Sequence, residues 1–224
     1  MKMEQKFRHE YKHSITPADM AALRMRLSAV MQPDSFTIGG KYTIRSLYFD
    51  NLFDKALLEK LNGVNRREKF RIRYYNGDTS FIRLEKKSKF GGLSSKQSAP
   101  LTYEEADLLA HGLCIRGSKN ELVNELSFKM SSQLLKPKTI VDYTREAFVF
   151  PAGNVRVTLD HNIRTGIDPT ELLDPNCVTV PTGEDIILEV KWDEYLPAVI
   201  EQAVQLGSRQ TSSFSKYAAC RIYG

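Results

Sequence analysis

The chain has 224 residues, 42% hydrophobic and 26% charged, a balance that suits one compact domain over 1–224 and excludes a disordered chain. Its 32 Lys and Arg against 27 Asp and Glu leave a formal charge of +5, a modest lean toward an anionic partner. No apolar run is long enough to span a bilayer, and "MKMEQKFRHE" lacks the apolar middle of a signal peptide. Cys114, Cys177 and Cys220 are odd in number and far apart, with neither zinc spacing nor a disulfide framework, so a reducing cytoplasm is expected.

In chain order, the first strand signal is "QKFRHEYKHSI". The helix "TPADMAALRMRLSAVM" follows, with Thr16 as N-cap and Pro17 at its first position. Next come the strand "YTIRSLYFD" and a short helix after Asp50, "NLFDKALLEKLNG". The strands "EKFRIRYY" and "SFIRLEKKSK" flank Asn76-Gly77, and Ser95 to Ala99 predicts a further short pairing. "LTYEEADLLAHG" carries a capping box, Thr102 with Glu105, and ends at Gly112. "SKNELVNELSFKM" suggests another box, Ser118 with Glu121. The segment Pro137 to Phe150 is long enough for two strands around Thr144 to Ala147. "NVRVTLDHNI", "DIILEVKW" and the short helix "LPAVIEQAVQLG" complete the series, about eight strands in all. Strands and helices do not alternate as βαβ units, so the expected class is antiparallel α+β.

Side chains alternate across a strand, so each polar face can be read directly. The faces are Arg8, Glu10, Lys12; then Arg71, Arg73; then Arg83, Glu85, Lys87. Later strands give Tyr143, Arg145; Arg156, Thr158, Asp160; and Glu189, Lys191. His9 and His13 fall on the opposite face of the first strand and read as packing or surface residues. Asp160 could touch a metal or pair with Arg156, and pairing is the expected role. A two-residue type I′ turn at Asn76-Gly77 pairs Tyr75 with Asp78 and sets Arg71 and Arg73 beside Ile82 and Leu84. A three-residue loop with a G1 bulge pairs Tyr74 with Asp78 and keeps the charged faces together; it is the expected turn.

The apolar alternates Phe70, Ile72, Ile82, Leu84, Val155, Val157, Leu159, Ile187 and Val190 need cover, which the amphipathic helices can supply. If the sheet also closes into a barrel, its lumen is charged. Two like charges about 8 Å apart at an effective dielectric near 20 repel by about 2 kcal/mol. A polyanion such as triphosphate or polyphosphate, with a divalent metal on the carboxylates, would relieve that repulsion. The bland alternative is a solvated face of cross-strand ion pairs, with Glu189 and Lys191 one such pair. A nucleic-acid surface is disfavoured, because glutamates rather than aromatics interleave the cations.

The segments "RHEYKHSI", "IRSLYFDN", "KFRIRYY", "RLEKKSKFGGLSSKQ", "VDYTREAF", "VRVTLDHNIR", "ILEVKW" and "SSFSKY" resemble, in order, the polyphosphate-polymerase domain of the vacuolar transporter chaperone (VTC) family. That family lies in the triphosphate tunnel metalloenzyme superfamily, and the resemblance covers nearly the whole chain. It implies a closed antiparallel barrel forming a charged tunnel, with helices packed outside. It implies phosphate contacts from Lys12, Arg71, Arg73, Lys87, Lys96, Arg145, Arg156 and Lys216, and metal coordination by Glu189. Glu10 and Glu85, the further carboxylates of the charged faces, are the additional metal-ligand candidates, and Arg83, Lys191 and Ser215 the further phosphate-binding candidates. Lys87 is preferred to Lys86 because it shares the parity of Glu85. The implied reaction is phosphoryl transfer with Mn²⁺ or Mg²⁺, most simply polyphosphate synthesis from ATP. Hydrolysis of the same substrates and non-catalytic binding of polyphosphate or nucleotide are the alternatives.

Overall fold

A computed structural model describes residues 8–91, 93–207 and 214–222, so the expected first strand begins outside the described residues. In chain order the elements are β1 (His9–Ile15), α1 (Pro17–Val30), β2 (Gln32–Pro33), β3 (Lys41–Asp50), α2 (Lys55–Leu61), β4 (Arg67–Tyr75), β5 (Asp78–Phe90) and β6 (Leu93–Leu101). There follow α3 (Tyr103–Ala110), α4 (Glu121–Ser132), β7 (Lys136–Phe150), β8 (Val155–Gly166), β9 (Thr179–Pro181), β10 (Ile186–Trp192), α5 (Ala198–Val204) and α6 (Lys216–Cys220). The strands pair in the order β1-β10-β8-β7-β3-β4-β5-β6, with β2 beside β7 and β9 beside β8. This is the antiparallel α+β class, and among the described residues no pairing joins β1 to β6 into a ring. The segment Lys136–Phe150 is one long strand rather than the two expected.

The chain forms two compact units. The first comprises Met1–Thr43, Tyr143–Ile163 and Gly183–Ser215; the second comprises Ile44–Asp142, Arg164–Thr182 and Lys216–Gly224. In the first, Met20, Leu23 and Leu27 of α1 and Ile200, Ala203 and Val204 of α5 bury against Val155, Val157, Leu159, Leu188 and Val190. These strand residues share one parity on each strand, so helix packing claims a whole face and leaves the other to the charged residues. Ile187 was expected among the apolar alternates, yet it lies on the other parity. It is fully buried and sits opposite Asp160 in register. His9 stacks on Trp192 with ring centroids 5.3 Å apart, and His13 packs edge-on against Tyr11, as the opposite parity predicts.

In the second unit, Phe70, Ile72, Tyr74, Ile82 and Leu84 bury with Ala106 and Leu109 of α3 and Val123, Leu126 and Met130 of α4. The caps set where these helices start. Thr102 and Glu105 form the expected box, and Gly112, with φ of 76°, follows the helix end. At α4 the cap is Asn120, whose side chain accepts from the Leu122 amide, rather than Ser118. Ser118 instead accepts the Asn120 amide on its hydroxyl, and its own backbone amide donates to Asn124 Oδ1. At α1 the structure adds a box that Thr16 makes with Asp19.

The β4–β5 turn differs from expectation in an instructive way. Asn76 and Gly77 both have positive φ, 53° and 71°, and Tyr75 pairs with Asp78, the two-residue turn set aside above. The register then shifts between Arg73 and Tyr75, so that Tyr74 stands against the four residues from Thr79 to Ile82. Beyond the shift Arg73 faces Arg83, Arg71 faces Glu85 and Lys69 faces Lys87. The hairpin's twist is satisfied by the turn, and burial of one face is satisfied by a bulge within the strands. The charged faces match, though not through the loop proposed for them.

Candidate functional site

In the first unit, β1, β10, β8 and β7 carry the charged residues on one parity. Lys12 lies opposite Glu189, Glu189 opposite Thr158, and Lys191 between Glu10 and Arg156. The Lys12 ammonium is 2.7 Å from Glu10 and 3.2 Å from Glu189. Lys191 is 2.8 Å from Glu189, so the expected metal ligand is also an ion-pair partner. Arg145 grips Asp160 through two hydrogen bonds, from Nε at 2.6 Å and from Nη2 at 2.7 Å, and lies 3.6 Å from Glu189.

Asp160 therefore pairs with Arg145, not with Arg156 as the sequence suggested. Arg156 turns to Asp34, at 2.5 Å, and donates to the Tyr42 hydroxyl at 2.8 Å. Asp160 is fully buried and Glu189 is 5% exposed. Charges so far from water persist only when paired, and the pairs here are short and partly bidentate. Burial works against the charge on Lys12, yet Glu189 and Glu10 beside it raise its pKa above the ordinary lysine value. Burial likewise opposes the charge on Arg145, and Asp160 more than restores it. Both stay cationic at any physiological pH.

The second unit holds the other cations. Arg71 donates from Nε to Glu85 at 2.7 Å and from Nη1 to the Tyr48 hydroxyl at 2.9 Å. Lys96 also pairs with Glu85, which is 4% exposed. Burial would raise the Glu85 carboxyl, but Arg71, Arg73 and Lys96 hold it down at about 2. Arg73, itself buried, donates to Ser46 Oγ at 2.8 Å. Arg83 donates to Ser98 Oγ at 3.0 Å. Lys87 is opposite Lys69 on one side and Lys96 on the other, whereas Lys86 points toward the helices, pairing with Glu68 and Glu125. The parity choice of Lys87 over Lys86 thus separates a strand-face cation from a helix-facing one. Ser215 is half-buried in the first unit, and Lys216 opens α6 in the second.

Several members of these clusters went unread in the sequence. Ser46 and Tyr48 share a parity on β3 and lie opposite Arg73 and Arg71. The alternation Tyr42, Ser46, Tyr48, Asp50 was the available signal, masked because tyrosine reads as apolar. Asp34 lies in a loop, where no period marks it.

A divalent metal would need oxygen donors. Among the described residues no three or more His, Cys, Asp and Glu side chains gather as a metal cage. Glu10 and Glu189 do lie within reach of one ammonium, Lys12. Beside them Thr158 is 3% exposed, and its hydroxyl has no hydrogen-bond partner among the described residues. One or two carboxylates, completed by substrate phosphate oxygens and water, are how Mg²⁺-type ions are commonly held, so this donor set fits such an ion.

Comparison with known proteins agrees with the geometry of the fold. A candidate adenylate cyclase from Bacillus halodurans superposes with a TM-score of 0.52 at 16% identity, covering 84% of this chain and 82% of that one. The PH1012 protein from Pyrococcus horikoshii OT3 gives 0.53 at 10% identity, covering 93% and 96%. These likenesses are of fold. A search of curated proteins finds no match. The sequence profile of the VTC domain family matches residues 7–222, nearly the full length, and the chain belongs to that family.

Proposed function

We propose that this domain catalyses metal-dependent phosphoryl transfer on triphosphate or polyphosphate, most simply the extension of a polyphosphate chain from ATP. The observation that carries the reading is the concentration of buried carboxylates paired with cations on strand faces: Glu189 and Asp160, with the half-buried Lys12 and Arg145, in one unit, and Glu85, with the half-buried Arg71 and beside the buried Arg73, in the other. Ordinary strand faces do not bury arginine against glutamate repeatedly. The unpartnered Thr158 hydroxyl beside Glu189 adds unused hydrogen-bonding capacity there. Membership of the VTC domain family supports the same substrate class, and the charged tunnel of a closed barrel belongs to this reading.

Phosphoryl transfer asks mainly for alignment and for neutralisation of charge. Within each unit, Arg71 with Arg73 and Arg145 with Arg156 would grip phosphate oxygens, while Lys87, Lys96 and Lys216 in the one and Lys12 and Lys191 in the other act as mobile point charges. Arg83 and Ser215 would extend the grip. Glu189, with Glu10, would hold Mn²⁺ or Mg²⁺, which when bound withdraws charge from phosphate oxygens. Glu85 serves better as the counter-charge of Arg71 and Lys96 than as a ligand. In the absence of substrate the carboxylates neutralise the cations, so an incoming phosphate competes with them for each guanidinium and ammonium.

Cys114, Cys177 and Cys220 are free, and a cytoplasmic setting is part of this proposal. No helix among the described residues is long and apolar enough to cross a membrane. The test is incubation of the purified protein with ATP and Mn²⁺, following released phosphate and polyphosphate chains separately. Chains support synthesis; phosphate alone supports hydrolysis. Binding with neither leaves a non-catalytic module, and no binding ends the proposal. Glu189→Gln should abolish turnover, and normal turnover by that variant would refute the metal assignment.

A further inference from the structure

Tyr48 is 4% exposed at the centre of the second unit's cationic cluster. Its position there is over-determined. It sits directly across from Arg71 in the β3–β4 register, and its hydroxyl accepts the Arg71 Nη1 bond at 2.9 Å. One side of its ring stacks on Tyr217 of α6, with centroids 4.9 Å apart and planes 28° apart. The Lys69 ammonium and the Arg71 guanidinium lie 5.4 and 5.8 Å from the ring centre. Tyr217 is itself tied down, donating its hydroxyl to Asp50 at 2.7 Å. Asp50 in turn accepts from the amides of Asn51, Ala56 and Leu57, so the clamp is anchored to the start of α2. The Arg71 guanidinium is therefore held from two sides, by the Glu85 carboxylate and by the Tyr48 oxygen.

We propose that Tyr48 is a positioning residue for Arg71 in anion binding, and that its hydroxyl takes up a proton as an anion draws Arg71 and Lys69 to itself. The inference rests on the anion-binding reading given above. The charged and titratable groups around the phenol are Lys69, Arg71 and Arg73 on β4, Glu85 on β5 with Lys96 of β6 behind it, Tyr217 on α6, and Asp50 on its own strand. Burial would raise the phenol, but Arg71, Lys69 and Arg73 pull it down to about 7. A polyanion that neutralises those cations removes what stabilises the phenolate, and the oxygen is then protonated from solvent. By linkage, binding loses strength as pH rises through the phenol's midpoint, because a proton must then be taken up. Ionisation of phosphate itself acts in the opposite direction, adding negative charge as pH rises.

The test is calorimetric titration of the whole chain with tripolyphosphate, without metal, from about pH 6 to about pH 8, in buffers of differing ionisation enthalpy. Wild type should take up a proton on binding, and its affinity should fall above the midpoint by up to about tenfold per pH unit. Tyr48→Phe keeps the ring stack. It should lose the proton uptake and bind roughly two- to tenfold more weakly below the midpoint, where one hydrogen bond to Arg71 is missing. A purely structural role would not alter proton uptake. Equal uptake and equal affinity in the variant and wild type would overturn the proposal. A second measurement needs no variant: tyrosinate absorbance of wild type should show one of the ten tyrosines ionising near neutrality, reversed by tripolyphosphate. If tripolyphosphate binds yet no such tyrosinate signal exists, the proposal fails while the anion-binding reading stands. If wild type does not bind tripolyphosphate at all, that reading fails and this inference falls with it.

Discussion

Glu85→Gln isolates the electrostatics of the second unit. The carboxylate is 4% exposed and lies 2.6 Å from Arg71, with Lys96 on its other oxygen. In the folded chain its carboxyl sits at about 2, against an ordinary 4.5. That difference corresponds to about 3 kcal/mol of stability, in the range found when one partner of a buried pair is removed. Because the folded value is depressed, the contribution is complete above 4.5 and is lost as pH falls from there toward about 2. The variant should therefore unfold about 3 kcal/mol more easily than wild type at neutral pH, and the two should converge in strong acid. Urea unfolding followed by circular dichroism at neutral pH, near pH 4.5 and near pH 3 measures this, with unchanged slopes showing that the unfolded states are comparable. A loss below about 1 kcal/mol at neutral pH, or a loss that does not shrink with acid, would refute the pairing as a source of stability.

Three further perturbations probe other parts of the molecule. Asp160→Asn removes the charge from a fully buried carboxylate that Arg145 grips twice, and thermal unfolding should fall by about 6–12 °C, for a loss of about 3 kcal/mol. Thr102→Ala deletes the side-chain cap of α3 and should cost about 1 kcal/mol in urea unfolding, with Thr102→Ser restoring most of it. Gly153→Ala should be the more damaging of the small changes. Gly153 has φ of 71°, and an added Cβ would collide with the Tyr195 carbonyl oxygen, so a loss above about 1 kcal/mol is expected in the same assay.

The strand faces were legible because alternation is a local property of an extended chain. Arg71 and Arg73, Arg83 and Glu85, Glu189 and Lys191 could be sorted from Phe70, Leu84 and Val190 without knowing what any strand lies beside. Helix starts were legible where a cap is a short-range bond, as at Thr16 and Thr102. Ser118 and Asn120 show the limit of that signal: two good capping residues stood two positions apart, and the packing of α4 selected the second.

What the tertiary structure alone decided is which charge answers which. Parity placed Asp160, Arg156 and Arg145 on compatible faces, but the choice of Arg145 for Asp160, and of Asp34 for Arg156, follows from strand neighbours and a loop that carries no period. The same holds for Tyr48: its ring looks apolar in a sequence, and only its place across from Arg71 and against Tyr217 makes its oxygen part of the cluster. The chain's own alternation determined that a charged face exists. Register between strands distant in sequence determined how that face is neutralised, because electrostatic energy depends on separations of a few ångströms that no single segment specifies.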